Sequence, residues 1–218
     1  MNDRGDAPGG AIAYLDAMLN RRTLIASAAA FAALPGAALA KIPLSRLSAY
    51  LNSIQTARGE FTQINADGTI STGTLYIRRP GRVRFEYNPP DESLVMAGGG
   101  QVAIFDGKSN TGPEQFPLRQ TPLNLILARR VDFARSGMVV AHTSDGNTTT
   151  VTAQDPERPE VGTIRLVFTD DPVELRQWVI TDEAGQQTTV VIGRLETGVA
   201  LGSRMFNIVQ EAQARGLR

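Results

Sequence analysis

Four consecutive residues, His142-Thr143-Ser144-Asp145, contain the residue types of a nucleophilic triad. Triad partners normally converge from different elements of a fold, because the base must reach the nucleophile and the acid must orient the base. Here they are adjacent at the end of a predicted strand, where successive side chains point to opposite faces. The spacing therefore favours a structural or surface role for His142, the single histidine of the chain.

Other residues that could carry chemistry are few. The chain has no cysteine, which excludes thiolate metal sites, and with one histidine a zinc site would consist almost entirely of carboxylates. The acidic pairs Asp91-Glu92 and Asp170-Asp171 lie beside prolines in predicted turns, where acidic side chains cap or solvate. The triplet Gly98-Gly99-Gly100 is not followed by a phosphate-binding helix. We therefore predict no catalytic residue, metal or cofactor.

The densest cluster of charge lies in the segment YIRRPGRVRFEYNPPDESLV, residues 76–95. Apolar and charged residues alternate from 82 to 87, which is typical of an antiparallel strand with one solvent-exposed face. The alternation predicts three residues on a solvated outer face: Arg82, Arg84 and Glu86. Arg79 differs from them, because the proline that follows holds it in an extended conformation at a strand end.

Hydrophobic periodicity predicts the elements that position these residues. Helical spacing of leucines and an isoleucine predicts an amphipathic helix from Pro43 to Gln55, and Thr121-Pro122 starts a second, shorter helix with Thr121 as its N-cap. Strand-like runs lie at 61–64, 73–77, 83–87, 94–96, 102–105, 138–142, 148–153, 163–168, 177–181 and 187–192. Many short strands predict an antiparallel sheet curled into a barrel or part of one. The tail from Phe206 to Arg218 is polar and short.

The N-terminal segment has the pattern of an export signal. Arg21-Arg22 precede an apolar, alanine-rich run from Leu24 to Leu39, and Ala38-Leu39-Ala40 supplies small residues before Lys41. A charged region, an apolar region and a small-residue end predict a cleavable signal peptide, residues 1–40. The low hydrophobicity of alanine argues against a membrane span, which needs about 20 strongly apolar residues.

The remaining chain, residues 41–218, has a suitable length for a single domain with its own core. The whole sequence has 22 basic and 22 acidic residues, and this balance argues against general nucleic-acid binding. An exported protein without cysteines depends on its core rather than on disulfides. Residues 20–25 resemble a twin-arginine signal, but a Sec signal fits as well. Translation starts at Met1 or at Met18.

Five short segments occur in a fixed order along the first half of the domain. They are Phe61-Thr62-Gln63, Gly73-Thr74-Leu75, Arg78-Arg79-Pro80-Gly81, Arg84-Phe85-Glu86-Tyr87 and Pro90-Asp91-Glu92-Ser93. Each segment alone is unspecific. In this order and spacing, with an amphipathic helix before them and a short helix after them, they resemble the periplasmic outer-membrane lipoprotein carrier family (LolA-like).

The resemblance implies a mainly β fold with some α: an unclosed antiparallel β-barrel, or half-barrel, with short helices covering an apolar cavity. It also implies a periplasmic chaperone that sequesters lipoprotein acyl chains and moves lipoproteins from the inner to the outer membrane. The implied partners are acylated lipoproteins, an inner-membrane ATP-driven lipoprotein-releasing transporter, and an outer-membrane acceptor, either a protein or the membrane. We expect a monomer that binds no nucleic acid.

The resemblance also implies a latch. The family's arginine before the proline holds the lid helices closed, and Arg79 is the matching position; counting from Phe61 places the apolar lid residue at Leu51. Strand parity gives an expected acyl-chain cavity lined by Leu75, Ile77, Val83, Phe85, Tyr87, Met96 and Trp178. A slip of one residue would invert that parity. Two alternatives stay open: a carrier or sensor for other lipids, and a periplasmic hydrolase with an apolar cleft.

Overall fold

The alternation of apolar and polar residues folds the chain into one long antiparallel sheet. The computed structural model describes residues 41–217, so the predicted signal peptide, residues 1–40, lies outside the described residues. The strands are β1 (Thr56–Ile64), β2 (Ile70–Arg78), β3 (Val83–Tyr87), β4 (Leu94–Gly98), β5 (Gln101–Phe105), β6 (Glu114–Pro117), β7 (Val139–Ser144), β8 (Thr148–Gln154), β9 (Thr163–Asp170), β10 (Val173–Thr181), β11 (Gln187–Ile192) and β12 (Glu196–Thr197). The α-helices are α1 (Leu44–Ser53), α2 (Leu123–Leu127) and α3 (Ile208–Ala214).

The sheet is a curled meander whose ends do not meet. The strand order is β6-β5-β4-β3-β2-β1-β11-β10-β9-β8-β7, and β12 pairs with β1 beside this path. The first and second halves of the chain join where β1 pairs with β11, with Phe61 opposite Ile192. The edge strands β6 and β7 do not pair with each other in the described chain. The prediction of a mainly β, unclosed antiparallel barrel is confirmed.

One face of the sheet, which we call the concave face, packs against α1 and α2. Leu47 and Leu51 of α1 are buried in the same cluster as Phe61, Leu75 and the other inward residues of the strands. The helix predicted from the leucine spacing is confirmed, with Pro43 at its N-cap. Within residues 41–217, no helix is long and apolar enough to cross a membrane.

The second predicted helix is also present, but it starts differently. Thr121 is not a helix cap; its hydroxyl donates to the carbonyl of Leu118 at 2.9 Å, which closes the preceding 3-10 turn. Pro122 takes the N-cap position of α2. Burial of Leu123, Leu125 and their neighbours therefore stabilises this five-residue helix, since it has no side-chain cap.

The C-terminal tail forms a strap over the opposite, convex face, which its polar composition did not indicate. Asn207 caps α3 by accepting from the backbone N–H of Gln210 at 3.0 Å. Ile208 packs with Ala212 and Leu217 of the tail on a buried strip of β4 and β5. That strip consists of Leu94, Met96, Ala103 and Phe105. We call residues 203–217 the C-terminal strap.

The strap corrects two expectations from strand parity. Arg84 pairs across the strands with Met96, and Phe85 pairs with Val95, so Met96 lies on the convex face and not in the cavity. Arg84 does lie on the outer face, as predicted, but it is buried rather than solvated. Its guanidinium donates to Glu86 at 2.7 Å and to Glu211 of α3 at 2.9 Å.

We expect Glu211→Gln to lower the free energy of unfolding at pH 7 by about 2 kcal/mol, because it loses a charge-assisted hydrogen bond. Burial disfavours the ionised carboxyl, but the hydrogen bonds from Arg84 and Arg215 outweigh burial and lower the pKa of Glu211. A carboxyl with a lowered pKa stabilises the fold above its ordinary pKa of 4.5 and loses this effect as pH falls through the lowered value.

Urea unfolding of both proteins from pH 7 to pH 3 checks this expectation. The difference between them should be constant above about pH 5 and should shrink below it. Glu196→Gln, at an exposed position of β12, is the matched control and should change stability little. A difference that persists unchanged at pH 3 would contradict the ion pair as its source.

Candidate functional site

A cavity of about 980 Å³ opens on the concave side of the sheet, beside the segment that leads into α2. Its apolar lining consists of Phe85, Val95, Val102, Ile104, Phe116, Leu123, Val161, Trp178, Ile180 and Val190. The volume lies at the upper end of the range for small-molecule sites, and such a lining favours an apolar ligand.

Aromatic rings form a fixed floor for this cavity. Phe85 contacts Phe61 edge-to-face with ring centroids 5.3 Å apart, and it contacts Trp178 in the same way at 6.1 Å. Phe61 makes a third such contact with Tyr87 at 5.2 Å. Edge-to-face pairs add about 1 kcal/mol each beyond the burial of their area. The three contacts therefore stabilise the arrangement of the rings in the floor.

One polar pair lies within the lining. The hydroxyl of Tyr87 donates to Oε1 of Gln63 at 2.8 Å, and the amide of Gln63 donates to Asn65 at 2.6 Å. Burial raises the pKa of Tyr87 to about 12, against the opposing effect of its hydrogen bond to Gln63. The phenol is therefore neutral at physiological pH and presents no charge to an apolar ligand.

The rim of the cavity is charged and uneven. Arg119 comes from the segment before α2, whereas Arg158, Glu160, Asp182 and Glu183 come from the loops between β8 and β9 and between β10 and β11, which we call the acidic loops. Arg158 is already paired with Asp155, at 2.7 Å between Nη2 and Oδ2. Burial opposes ionisation of Asp155, but hydrogen bonds from Glu157 N–H and from Arg158 lower its pKa. The acidic loops therefore carry a net negative charge.

Arg79 connects the sheet to both helices that cover the concave face. Its guanidinium donates to the carbonyl of Leu51 in α1 and, at 2.5 Å, to the carbonyl of Ala128 directly after α2. It also reaches Oδ1 of Asn52 at 3.2 Å. Burial lowers the pKa of Arg79, and its Nε is buried without a hydrogen-bond partner.

Further hydrogen bonds join α1 to the chain that follows α2. Asn52 donates to the carbonyl of Val131 at 2.8 Å and accepts from the Val131 N–H at 2.9 Å. The hydroxyl of Ser48 accepts from the Phe133 N–H at 2.9 Å. We call α1 and residues 118–136 the lid, because these bonds join them into one cover over the concave face.

Residues 52–209 match the family model described as outer membrane lipoprotein carrier protein LolA. The chain belongs to the LolA family. The match includes every strand and α2, and it begins within α1, so the residues that form the cavity and the Arg79 contacts all lie within it or directly beside it.

Relatives within the LolA family are similar over most of their length. An outer-membrane lipoprotein carrier protein of Pseudomonas aeruginosa is 26% identical over 194 residues, covering 85% of this chain and 92% of its own. One from Leptothrix cholodnii is 28% identical, covering 78% and 83%. A solved LolA-superfamily structure from Nitrosomonas europaea is 10% identical with a TM-score of 0.41, covering 76% of this chain and 98% of that one.

The structure separates the residues expected to line the LolA-type cavity into three groups. Phe85, Tyr87 and Trp178 line it. Leu75, Ile77 and Val83 are buried in the main core and not among its lining residues. Met96 was wrongly assigned and lies under the C-terminal strap. Leu51 is buried in the core, and its carbonyl rather than its side chain meets Arg79.

Several lining residues were missed because one strand was not predicted. β6 carries Phe116, which pairs with Val102 of β5 and faces the cavity beside it. The sequence Glu114-Gln115-Phe116-Pro117 is too short and polar to indicate a strand. Val95 was missed through the same parity error that misplaced Met96.

The catalytic candidates considered from the sequence, His142, Asp91 and Asp170, are not among the lining residues of the cavity. Nε2 of His142 lies 3.1 Å from the carbonyl of Ile42, beside the start of α1. Asp91 accepts from Ser93 N–H at 3.0 Å, and Asp170 accepts from Thr149 at 3.1 Å. No serine or histidine lines the cavity, and residues 41–217 contain no cluster of three metal-ligating side chains.

We expect Asn52→Ala to loosen residues 131–133 from α1 without unfolding the sheet, because it removes both hydrogen bonds to Val131. Native-state hydrogen exchange should show faster exchange at the Val131 amide, by about tenfold for the net loss of one to two hydrogen bonds. Ser53→Ala, which removes a bond within α1 only, is the control. Equal exchange in both variants would refute the proposed connection.

Proposed function

We propose that this LolA-family protein carries lipoproteins across the periplasm, with their acyl chains in the 980 Å³ cavity. The observation that carries the proposal is an apolar cavity with an aromatic floor beside a hydrogen-bonded lid, in a chain that matches the carrier family over residues 52–209. The relatives are named outer-membrane lipoprotein carrier proteins, and the proposal extends that role to this chain.

The need to shield acyl chains from water explains the composition of the cavity. Each acyl methylene transferred from water to an apolar environment contributes about 0.8 kcal/mol, so an acylated protein does not leave a membrane unless its chains are covered. Burial of hydrocarbon needs no directional bonds, and it needs no nucleophile, metal or cofactor. Ten aliphatic and aromatic side chains of the lining suit that task, and the phenol of Tyr87 beside them is neutral and paired with Gln63.

Arg79 acts in this proposal as the latch of the closed lid. Cargo enters only when the lid opens, and the bonds from Arg79 to Leu51, Asn52 and Ala128 favour the closed form. Each such bond contributes about 1 kcal/mol net. Closing the lid then competes with the cargo for the cavity, which drives release at the acceptor membrane.

In this proposal, the lipoprotein moves from the inner to the outer membrane. The N-terminal signal, residues 1–40, sends the protein to the periplasm by the Sec or the twin-arginine route and is cleaved before Lys41. An ATP-driven transporter in the inner membrane delivers the lipoprotein, and an acceptor at the outer membrane, a protein or the bilayer, receives it. The carrier works as a monomer.

Mass spectrometry of the protein purified from periplasm tests the cargo. We expect co-purifying acylated lipoproteins, because the cavity has the capacity for hydrocarbon chains and the family handles lipoproteins. Phe85→Asp, which places a charge on the cavity floor, should abolish the association. Free phospholipid in place of lipoprotein would favour a carrier of other lipids, and hydrolysed acyl chains would favour a hydrolase.

Arg79→Leu should trap cargo on the carrier. Loss of about three hydrogen bonds shifts the lid toward its open form by on the order of 100-fold, so less driving force remains to expel the acyl chains. Loaded carrier is mixed with acceptor vesicles, and the lipoprotein remaining on the carrier is measured over time. Arg82→Leu, in the same turn and with no side-chain hydrogen bond to the lid, is the control. Handover at the wild-type rate by folded Arg79→Leu protein would contradict the proposal that Arg79 acts as a latch.

A further inference from the structure

The lid carries a large excess of positive charge on a nearly neutral protein. The lid, α1 and residues 118–136, contains five arginines as its basic residues and one acidic residue, Asp132. The rest of residues 41–217 contains 13 basic and 18 acidic residues. The two signs of charge are therefore separated between the lid and the rest of the described chain.

The arginines of the lid are free to meet a partner. Five of them are exposed: Arg46, Arg119, Arg129, Arg130 and Arg135. None of the five forms a salt bridge with a carboxylate of residues 41–217. Outside the lid, Arg84, Arg158, Arg176 and Arg215 form salt bridges, and the exposed Arg165, Arg194 and Arg204 do not. An exposed cation without a counter-ion in the same chain retains its full attraction for an external anion.

Hydrogen bonds hold the segment that carries most of these charges. Arg129 and Arg130 directly follow Ala128, which Arg79 binds. The bonds of Asn52 and Ser48 to the next residues hold this segment, and with it Arg135, against α1. Arg119 lies at the rim of the cavity itself. Positive charge therefore reaches the cavity at Arg119 and continues along the segment that is held against α1.

We propose that the exposed surface of the lid docks the carrier on an anionic phospholipid bilayer. A basic residue near an anionic membrane surface strengthens binding about fivefold, and several act together within a Debye length. The contact needs no apolar core. The large apolar side chains exposed in residues 41–217 all lie outside the lid: Ile64, Ile70, Val140, Val191 and Val209.

The absence of such side chains from the lid surface favours a bilayer over an acidic protein. Protein interfaces enrich aromatic and other apolar residues in their centre, and the lid surface offers arginines instead. The acidic loops, with Glu160, Asp182 and Glu183, are repelled by the same membrane. The carrier therefore approaches with the lid side first.

This inference rests on the proposed function only for its purpose, since a carrier of acyl chains must meet a membrane. It is measured without cargo, so its failure and the failure of lipoprotein binding are distinguishable. The purified protein is sedimented with vesicles of phosphatidylcholine containing phosphatidylglycerol, and with vesicles of phosphatidylcholine alone. We expect binding to the anionic vesicles in 50 mM salt and its loss in 500 mM salt.

The decisive variant is Arg129→Gln/Arg130→Gln/Arg135→Gln. At about fivefold for each arginine it should weaken binding to the anionic vesicles by on the order of 100-fold. The matched control removes the same charge outside the lid: Arg165→Gln/Arg194→Gln/Arg204→Gln, three other exposed arginines. We expect the control to bind nearly as the wild type does. Circular dichroism and thermal unfolding verify that both variants are folded.

Three outcomes overturn the proposal. Equal weakening by the two triple variants would show an effect of overall charge, and equal binding to neutral vesicles would show an apolar contact. Failure to bind anionic vesicles, together with retention on immobilised polyglutamate that the lid variant loses, would identify an acidic protein as the partner of this surface instead.

Discussion

A buried cation held by neutral oxygens is the interaction on which the cover of this molecule depends. Arg79 is among the few buried charged residues of the described chain, and its partners are two backbone carbonyls and one amide oxygen. A carboxylate would pair with it more strongly, and removal of either partner would leave an uncompensated charge. Neutral acceptors give a bond that is strong enough to order the lid and weak enough to break.

The unclosed sheet makes such a cover necessary. A closed barrel satisfies its edges and encloses its interior by itself, whereas here β6 and β7 do not meet within the described chain. The concave apolar face therefore depends on α1, α2 and the segment between α2 and β7. Asn52 and Ser48 join these pieces, so the hydrogen bonds of Arg79 to Leu51 and Ala128 hold the whole cover to the sheet.

The spacing of apolar residues along the sequence predicted the helices and strands whose formation depends on neighbouring residues. The leucine spacing identified α1, alternation identified most of the strands, and Arg79 was found through its place before a proline in the family motif. Phe85, Tyr87 and Trp178 line the cavity, and their role toward acyl chains stays a prediction.

The errors arise where a residue's environment depends on a distant segment. Leu94, Val95 and Met96 are all apolar because α1 and α2 cover one face of the sheet and the C-terminal strap covers the other. The alternation of apolar and polar residues is therefore lost here and does not show which side chains face the cavity. The strap is held by a few apolar contacts, by the ion pair of Glu211 with Arg84, and by hydrogen bonds from Arg84 to Met205 and from Arg78 to Ser203. Gly98 leaves room for the strap, because a Cβ at this position would lie 2.0 Å from the carbonyl oxygen of Phe206. The short sequence of the strap could not show this contact.

The strap also makes one part of the sheet stiffer than the other. Strands β4 and β5 lie between two apolar layers, whereas β7 is an edge strand with an exposed valine and a register shift between Val139 and Ala141. Local opening free energies follow the number of buried contacts, so the wall at β4 and β5 is stiff and the wall at β7 is compliant. Under the proposed function, any widening of the mouth is then borne by the β7 side rather than by β4 and β5.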